Sequence, residues 1–326
     1  MSKFKSFGVF SVAMLLFIAV VVYTFREVNV LQLISEVSIA NLLEVIFLGL
    51  IFRSTFGVIM WVGFCLQYNL KMRLSEIIFL PMMMHLFTYI IPFKGGILFQ
   101  VFYSKHKYGL DLSKGFSLGV MIFLITVVLA AVLGLILLYT LPVYSPELEA
   151  GLWFMGLSVI GLMFLLKFIP TTQVKNEGVL SKLRGFLINV RIQLVGQLRN
   201  PKLSIALLVT TIISTLVQTL WFWEIGEMLG TTSEFAPILL IVLVLRVILL
   251  FRFVPGNLGL QEIMIAAVFA AAGFEIEEGL LVGLVNRLIA VFWTAALGLP
   301  ALYSNLKYFD SFSIRGLINK VAQPNT

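Results

Sequence analysis

Four long apolar blocks without a single charged residue constrain this chain more than any other feature of its sequence. They lie at 7–25, 115–146, 203–223 and 288–306, and each is close to or longer than the roughly 20 residues that cross a bilayer as a helix. The whole chain is 60% hydrophobic and 12% charged, so a soluble fold would expose large apolar patches to water. Barrel strands would alternate polar and apolar residues. We therefore predict an all-α polytopic integral membrane protein, with residues 1–326 as one domain in the cell membrane.

The chain lacks the residue groupings of common catalytic and metal sites. Its lone cysteine, Cys65, excludes an internal disulfide and any cysteine metal cluster. The sequence contains no Ser/His/Asp grouping, no metal-ligand spacing and no phosphate loop. We accordingly expect no catalytic residues, no metal, no cofactor and no nucleic-acid partner.

Charge in the connections predicts the topology. Lysine and arginine cluster at 3–5, 71–73, 105–114, 167–202 and 307–320, whereas acidic residues cluster at 147–149, 224–234 and 275–278. The positive-inside rule places the basic connections and both termini in the cytoplasm. The first apolar run resembles a signal peptide but lacks a small-x-small cleavage site, and we expect it to remain as a helix. Counting this run, we predict six full spans, near 7–25, 42–66, 115–140, 150–167, 203–223 and 279–306.

Two hydrophobic stretches remain, and each is interrupted by proline and glycine. The first breaks at Pro92 and Gly96, and the second breaks at Pro255, Gly256 and Gly259. The limbs that follow are about 12 residues long, which is too short to span. The charge rule also requires each stretch to return to the side from which it entered. We predict two re-entrant helical hairpins; the alternative is two ordinary helices joined by a loop.

The two interruptions belong to an internal repeat. Pro92-x-x-x-Gly96 corresponds to Pro255-x-x-x-Gly259, and residues 109–119 match residues 273–283 with three glycines and an acidic residue in register. We infer repeats at 42–140 and 203–306 that run in opposite directions through the membrane. Inverted repeats with broken helices are typical of secondary transporters. A static scaffold that kept the duplication is the alternative.

Six charged residues fall inside or at the ends of apolar segments, where a charge is costly unless it is paired or hydrated. Five are basic and one is acidic, and they are Arg53, Lys94, Arg246, Arg252, Arg287 and Glu262. The excess of cations predicts a polar cavity that binds an anion, and the arginine fork suits phosphate. Asn257 either satisfies freed backbone groups or touches a head group. The alternative for Glu262 is a pairing with Arg252 or Arg287 that only holds the hairpin.

Two further features are weaker signals. The segment 168–202 places apolar residues at helical spacing among basic ones, which predicts either an amphipathic helix on anionic cytoplasmic lipid or a plain cytoplasmic linker helix. His85 lies within the first predicted hairpin. It could relay protons, although a lone histidine is more often a hydrogen-bonded structural group.

The motif Pro255-Gly-Asn-Leu-Gly-Leu-Gln-Glu262, followed by Gly273 and Arg287, resembles the signature of the lysylphosphatidylglycerol synthase membrane-domain family, also called flippase-like. The resemblance covers most of the chain, including Arg53 and the segment 92–109. It implies movement of a lipid between leaflets. The family's soluble aminoacyltransferase domain has no counterpart in this sequence, so we expect a stand-alone member. The family places charged or small residues where this chain has Phe93, Ile97, Gln100 and Phe123.

We therefore expect a transporter of an anionic lipid, either a phospholipid or a polyprenyl-phosphate-linked sugar. Arg246, Arg252 and Arg287 would hold its phosphate, and Glu262 would orient them. Arg53 and Asn257 would complete the substrate-binding residues. A second hypothesis is a non-transporting partner that presents lipid to a membrane-associated glycosyltransferase or aminoacyltransferase. A third is a membrane enzyme that acts on a polyprenyl-linked sugar.

Overall fold

The computed structural model describes residues 37–90, 95–141, 145–168, 179–230, 234–248 and 259–305, and within these ranges the chain is helical and contains no strand. Ten helices follow one another, and we number them in chain order: α1 Ile39–Tyr68, α2 Ser75–Ile90, α3 Gly95–Tyr108, α4 Leu112–Thr140, α5 Pro146–Phe168, α6 Val179–Leu198, α7 Pro201–Met228, α8 Phe235–Ile248, α9 Leu260–Ala271 and α10 Ile276–Asn305.

Five of these helices are long and apolar enough to cross a membrane, namely α1, α4, the Pro146–Leu165 part of α5, α7 and α10. At 1.5 Å of rise per residue, helices of 28 to 30 residues exceed the ~30 Å hydrocarbon core. They coincide with five of the six predicted spans. The prediction of an all-helical, multi-pass membrane protein is therefore confirmed. The first predicted span, 7–25, lies outside the described residues.

The two interrupted stretches form pairs of short helices. The first pair, α2 and α3, has 16 and 14 residues, and the second, α8 and α9, has 14 and 12. Gly96 is needed for the close packing of the first pair, because a Cβ there would lie 2.5 Å from the Met84 carbonyl oxygen and from Thr88 Oγ1. Gly259 precedes α9 with a φ of 73°, a conformation that favours glycine.

A polar cluster joins the open ends of the first pair. Glu76, in the first turn of α2, accepts hydrogen bonds from Lys107 and Tyr108 at the end of α3. Glu76 is buried, and Lys107 also donates to Tyr103 Oη at 2.7 Å. The end of α3 therefore returns to the end of the molecule at which α2 begins.

The two halves of the chain correspond helix by helix. The lengths of α1 to α4 are 30, 16, 14 and 29 residues, and those of α7 to α10 are 28, 14, 12 and 30. In each half the first helix packs on the second, the second on the third and the third on the fourth, while α1 and α7 pack on each other. The second helix of each half also packs on the last helix of the other half. A duplicated unit would produce this pattern.

The regular helical hydrogen bonding is interrupted in α2 and in α10, in each case near a proline. Pro81 lies inside α2 and has no N–H to donate to the Ile77 carbonyl. In α10, a π-helical turn at Thr294–Gly298 ends two residues before Pro300, and proline and π-bulges are recognised causes of helix bending. The two irregular segments meet, because a Cβ on Gly298 would lie 2.9 Å from the Met82 carbonyl oxygen.

Candidate functional site

Arg246 lies near the end of α8 and points to α7 and α1. Its Nε donates to Gln218 Oε1 at 2.8 Å, and its Nη2 donates to Ser214 Oγ at 2.6 Å. Ser214 Oγ shares a further hydrogen bond with Thr55 Oγ1 at 2.7 Å. Arg246 thus connects three helices just before the second interruption.

The charge of Arg246 is not neutralised by these contacts. Gln218 and Ser214 are neutral, and no described carboxylate forms an ion pair with Arg246. A guanidinium has five N–H donors, and the described hydrogen bonds use two of them. The side chain is half-buried. An incoming anion could accept bonds from the remaining donors.

The two hydrogen-bond partners of Arg246 belong to a polar stripe on α7. The stripe is buried and consists of Thr211, Ser214, Thr215, Gln218 and Thr219. Three of its members, Thr211, Thr215 and Thr219, each donate to the carbonyl four residues earlier, so their hydroxyl protons are satisfied within the helix. Ser214 and Gln218 were not among the site residues predicted from the sequence. Their spacing of four residues in an uncharged block was the signal that could have found them.

Glu262 and Arg287 form a buried ion pair between α9 and α10. Arg287 Nε donates to Glu262 Oε1, and its Nη2 donates to Oε2 at 2.9 Å. The Glu262 side chain is 7% exposed and the Arg287 side chain is 2% exposed. Glu262 also lies in the first turn of α9, where the helix dipole favours a negative charge. The alternative considered above, that Glu262 pairs with Arg287 and holds the hairpin, fits this geometry.

Glycines allow α9 and α10 to approach closely enough for this pair. A Cβ on Gly279 would lie 2.6 Å from Ala266 Cα, and a Cβ on Gly283 would lie 3.3 Å from Glu262 Cα. Small residues four apart are a common device for close helix packing in membranes. Both glycines belong to the repeat predicted from the sequence. At the equivalent positions of the first half, Gly115 has only ordinary contacts and Gly119 faces open space.

Arg53 is enclosed at the crossing of α1 and α10. It donates to the Gly49 carbonyl at 2.9 Å and to the Asn286 carbonyl at 3.1 Å. Its guanidinium carbon lies 4.7 Å from the centre of the Trp221 ring, a cation–π distance. Arg53 is only 4% exposed. Asn286 precedes Arg287, so Arg53 ties α1 to the turn of α10 that carries the ion pair.

The remaining predicted site residues fall into two groups. Gly96 and Gly259 lie at the starts of α3 and α9. The others lie outside the described residues, and they are Arg252, Asn257, Lys94, Pro92, Pro255 and Gly256. In the first half, Gln100 is buried on α3, and its Nε2 has no hydrogen-bond partner within the described part of the chain. Over the same residues, no group of three or more His, Cys, Asp or Glu could hold a metal.

The comparison with known families agrees with a membrane protein built of spanning helices. No curated protein and no solved structure matches the chain. The sequence profile described as "Lysylphosphatidylglycerol synthase TM region" matches residues 9–298, which is most of the chain. This protein therefore belongs to the lysylphosphatidylglycerol synthase transmembrane-region family.

Proposed function

We propose that this protein moves an anionic lipid, either a phospholipid or a polyprenyl-phosphate-linked sugar, between the leaflets of the membrane. The family assigns a lipid-related membrane function. The observation that supports the finer proposal is Arg246, a half-buried cation with neutral partners and spare N–H donors. A charge in a membrane is expensive unless it is paired or hydrated, and charges retained there commonly mark a substrate pathway. A lipid phosphate matches the arginine fork.

The proposed site is asymmetric. We assign the phosphate to Arg246 together with Arg252 and Asn257, which follow it closely in the sequence. Arg287 and Arg53 instead support the site. Arg287 is already paired with Glu262, and Arg53 is enclosed by the protein. This revises our expectation that Arg287 and Arg53 bind the head group directly.

The correspondence between α1–α4 and α7–α10 supports an inverted repeat as the basis of transport. Two oppositely oriented hairpins would provide two gates, one for each side of the membrane. The return of α3 to the start of α2, fastened by Glu76, is the arrangement that a re-entrant hairpin requires. Cytoplasmic termini remain the prediction of the charge rule.

Transport of fluorescent phosphatidylglycerol in proteoliposomes tests the proposal. We expect Arg246→Gln to lower the transbilayer rate by about tenfold or more, because a hydrogen bond to a charged group contributes about 1.5–3 kcal/mol. Gln218 and Ser214 can still bond to the new amide, so the fold should survive. The matched control is Arg73→Gln, which changes an exposed arginine in a loop. An unchanged rate for Arg246→Gln would refute the assignment of the phosphate to Arg246.

The alternative is a partner that presents lipid to a membrane-associated glycosyltransferase or aminoacyltransferase. The first half lacks charged side chains at Ile97, Gln100 and Phe123, and this favours the partner function. A transporter with two equal gates would be expected to keep charged side chains in both halves. Under this alternative, purified protein would retain anionic lipid through Arg246 but would move none of it. Lipid mass spectrometry beside the transport assay separates the two functions.

A further inference from the structure

Helix α6 is fixed across one end of the helix bundle. Gln197 on α6 donates to Tyr68 Oη at 2.8 Å and to Ser117 Oγ at 2.9 Å. Tyr68 ends α1 and Ser117 lies in the second turn of α4. The Phe186 ring packs 5.7 Å from the Phe116 ring, centre to centre. The spanning helices α1, α4 and α7 end or begin here, so α6 lies at a membrane surface.

One face of α6 carries aliphatic side chains that the described part of the protein leaves exposed. Four of its large aliphatic side chains are exposed by 36% to 51%, and they are Leu187, Ile192, Val195 and Leu198. The side of the helix opposite Ile192 is anchored to the bundle through Leu194 and Gln197, which are buried. Asn189, on a third side, is exposed and polar. Among the described residues, the helix therefore has one side packed on the bundle, one exposed side rich in aliphatic residues, and one exposed polar side.

The charge on α6 is of one sign. Between Val179 and Lys202 the sequence contains basic residues and no acidic residue. Arg184 and Arg199 are exposed, and on a helical projection they fall among the exposed aliphatic side chains. Long arginine side chains can keep their charge at the head-group level while their stems lie against acyl chains. The helix is not among those apolar enough to cross the membrane.

We propose that α6 lies in the plane of the membrane interface, inserts Leu187, Ile192 and Val195 between acyl chains, and binds anionic phospholipid head groups through Arg184 and Arg199. The occupant is a phospholipid leaflet because the exposed face combines aliphatic with basic side chains and is level with the ends of the spanning helices. By the positive-inside rule this leaflet is the cytoplasmic one. The proposal goes beyond the transport function and does not depend on Arg246.

Site-directed spin labelling can test the depth of α6. The lone cysteine is replaced by Cys65→Ser, whose hydroxyl can replace the thiol as donor to the Leu70 carbonyl. Labels are then placed by Ile192→Cys, Val195→Cys and, as the polar-face control, Asn189→Cys. In proteoliposomes we expect the labels at 192 and 195 to collide more with oxygen than with a water-soluble nickel complex, and the label at 189 to do the reverse. Equal water exposure at all three positions would overturn the insertion and indicate a plain linker helix.

Preference for anionic lipid is a separate readout. A bimane label at Val195→Cys is exposed to brominated phosphatidylglycerol or brominated phosphatidylcholine at equal mole fraction. We expect the anionic lipid to be enriched at the label by roughly fivefold or more. The combined Arg184→Gln and Arg199→Gln variant should remove the difference, whereas Arg73→Gln should keep it. Equal quenching by both lipids in the unmodified helix would overturn the head-group assignment.

Discussion

Replacing Glu262 with alanine is expected to destabilise the protein by about 3–5 kcal/mol, because it leaves the buried charge of Arg287 without a carboxylate. The ion pair joins α9 to α10, so the second interrupted stretch should lose its fixed position first. Reversible unfolding in mixed detergent micelles measures the change in the free energy of unfolding. A change within the uncertainty of that measurement would contradict a structural role for the pair.

Two variants show whether the loss comes from the unpaired charge. Glu277→Ala removes an exposed acid from α10, and we expect a change within about 0.5 kcal/mol. The double replacement Glu262→Met with Arg287→Met removes both charges and keeps similar volume. Since a buried ion pair is often no more stabilising than an apolar pair, the double variant should regain most of the stability that the single variant loses.

The same ion pair changes how the cations in the membrane are understood. Five basic residues in apolar segments suggested a single phosphate site, but the structure divides the described ones by their partners. Arg287 has a carboxylate, Arg53 has carbonyl oxygens and an aromatic ring, and Arg246 has only an amide and a hydroxyl. Arg246 is therefore the described arginine best suited to receive a substrate phosphate. Variants of Glu262 should accordingly lose stability, whereas variants of Arg246 should lose transport.

The spanning helices were predictable from the sequence because hydrophobic length is itself the physical requirement for crossing a bilayer. The predicted spans at 42–66, 115–140 and 203–223 coincide with α1, α4 and α7. The interruptions were also visible, since proline and glycine mark them. The π-helical turn of α10 could not be predicted from the sequence, because it lies where Gly298 makes a close contact with α2.

The candidate site was predictable only in its charged members. Arg246 and Glu262 stood out because charge is rare in apolar helices. Ser214, Gln218 and Thr55 did not, since hydroxyl and amide side chains are ordinary inside membrane helices and bond locally to the backbone. The choice of Arg287 as the partner of Glu262 could not be read from spacing alone, because it depends on how closely Gly279 and Gly283 let two helices pack.

The substitution Gly57→Ala should be among the most damaging single changes in the first half of the chain. A Cβ at Gly57 would lie 1.9 Å from the Ile77 carbonyl oxygen and 2.9 Å from Ile77 Cα. Both are backbone atoms, so no side chain can turn away, and α2 would have to move away from α1. Overpacking of this kind costs about 3 kcal/mol. Because α2 also packs on α3 and on the end of α10, the displacement should weaken both halves together.

The matched control for this change is Gly119→Ala. Gly119 lies in α4, a helix of similar length, and a Cβ there would have no atom within 4 Å. Alanine is favoured over glycine in a helix by about 0.5–1 kcal/mol, so this variant should be as stable as the parent or slightly more so. Thermal stability followed by size-exclusion chromatography in detergent compares the two. If Gly57→Ala melted at the same temperature as Gly119→Ala, α1 and α2 could not be in the close backbone contact that the structure gives them.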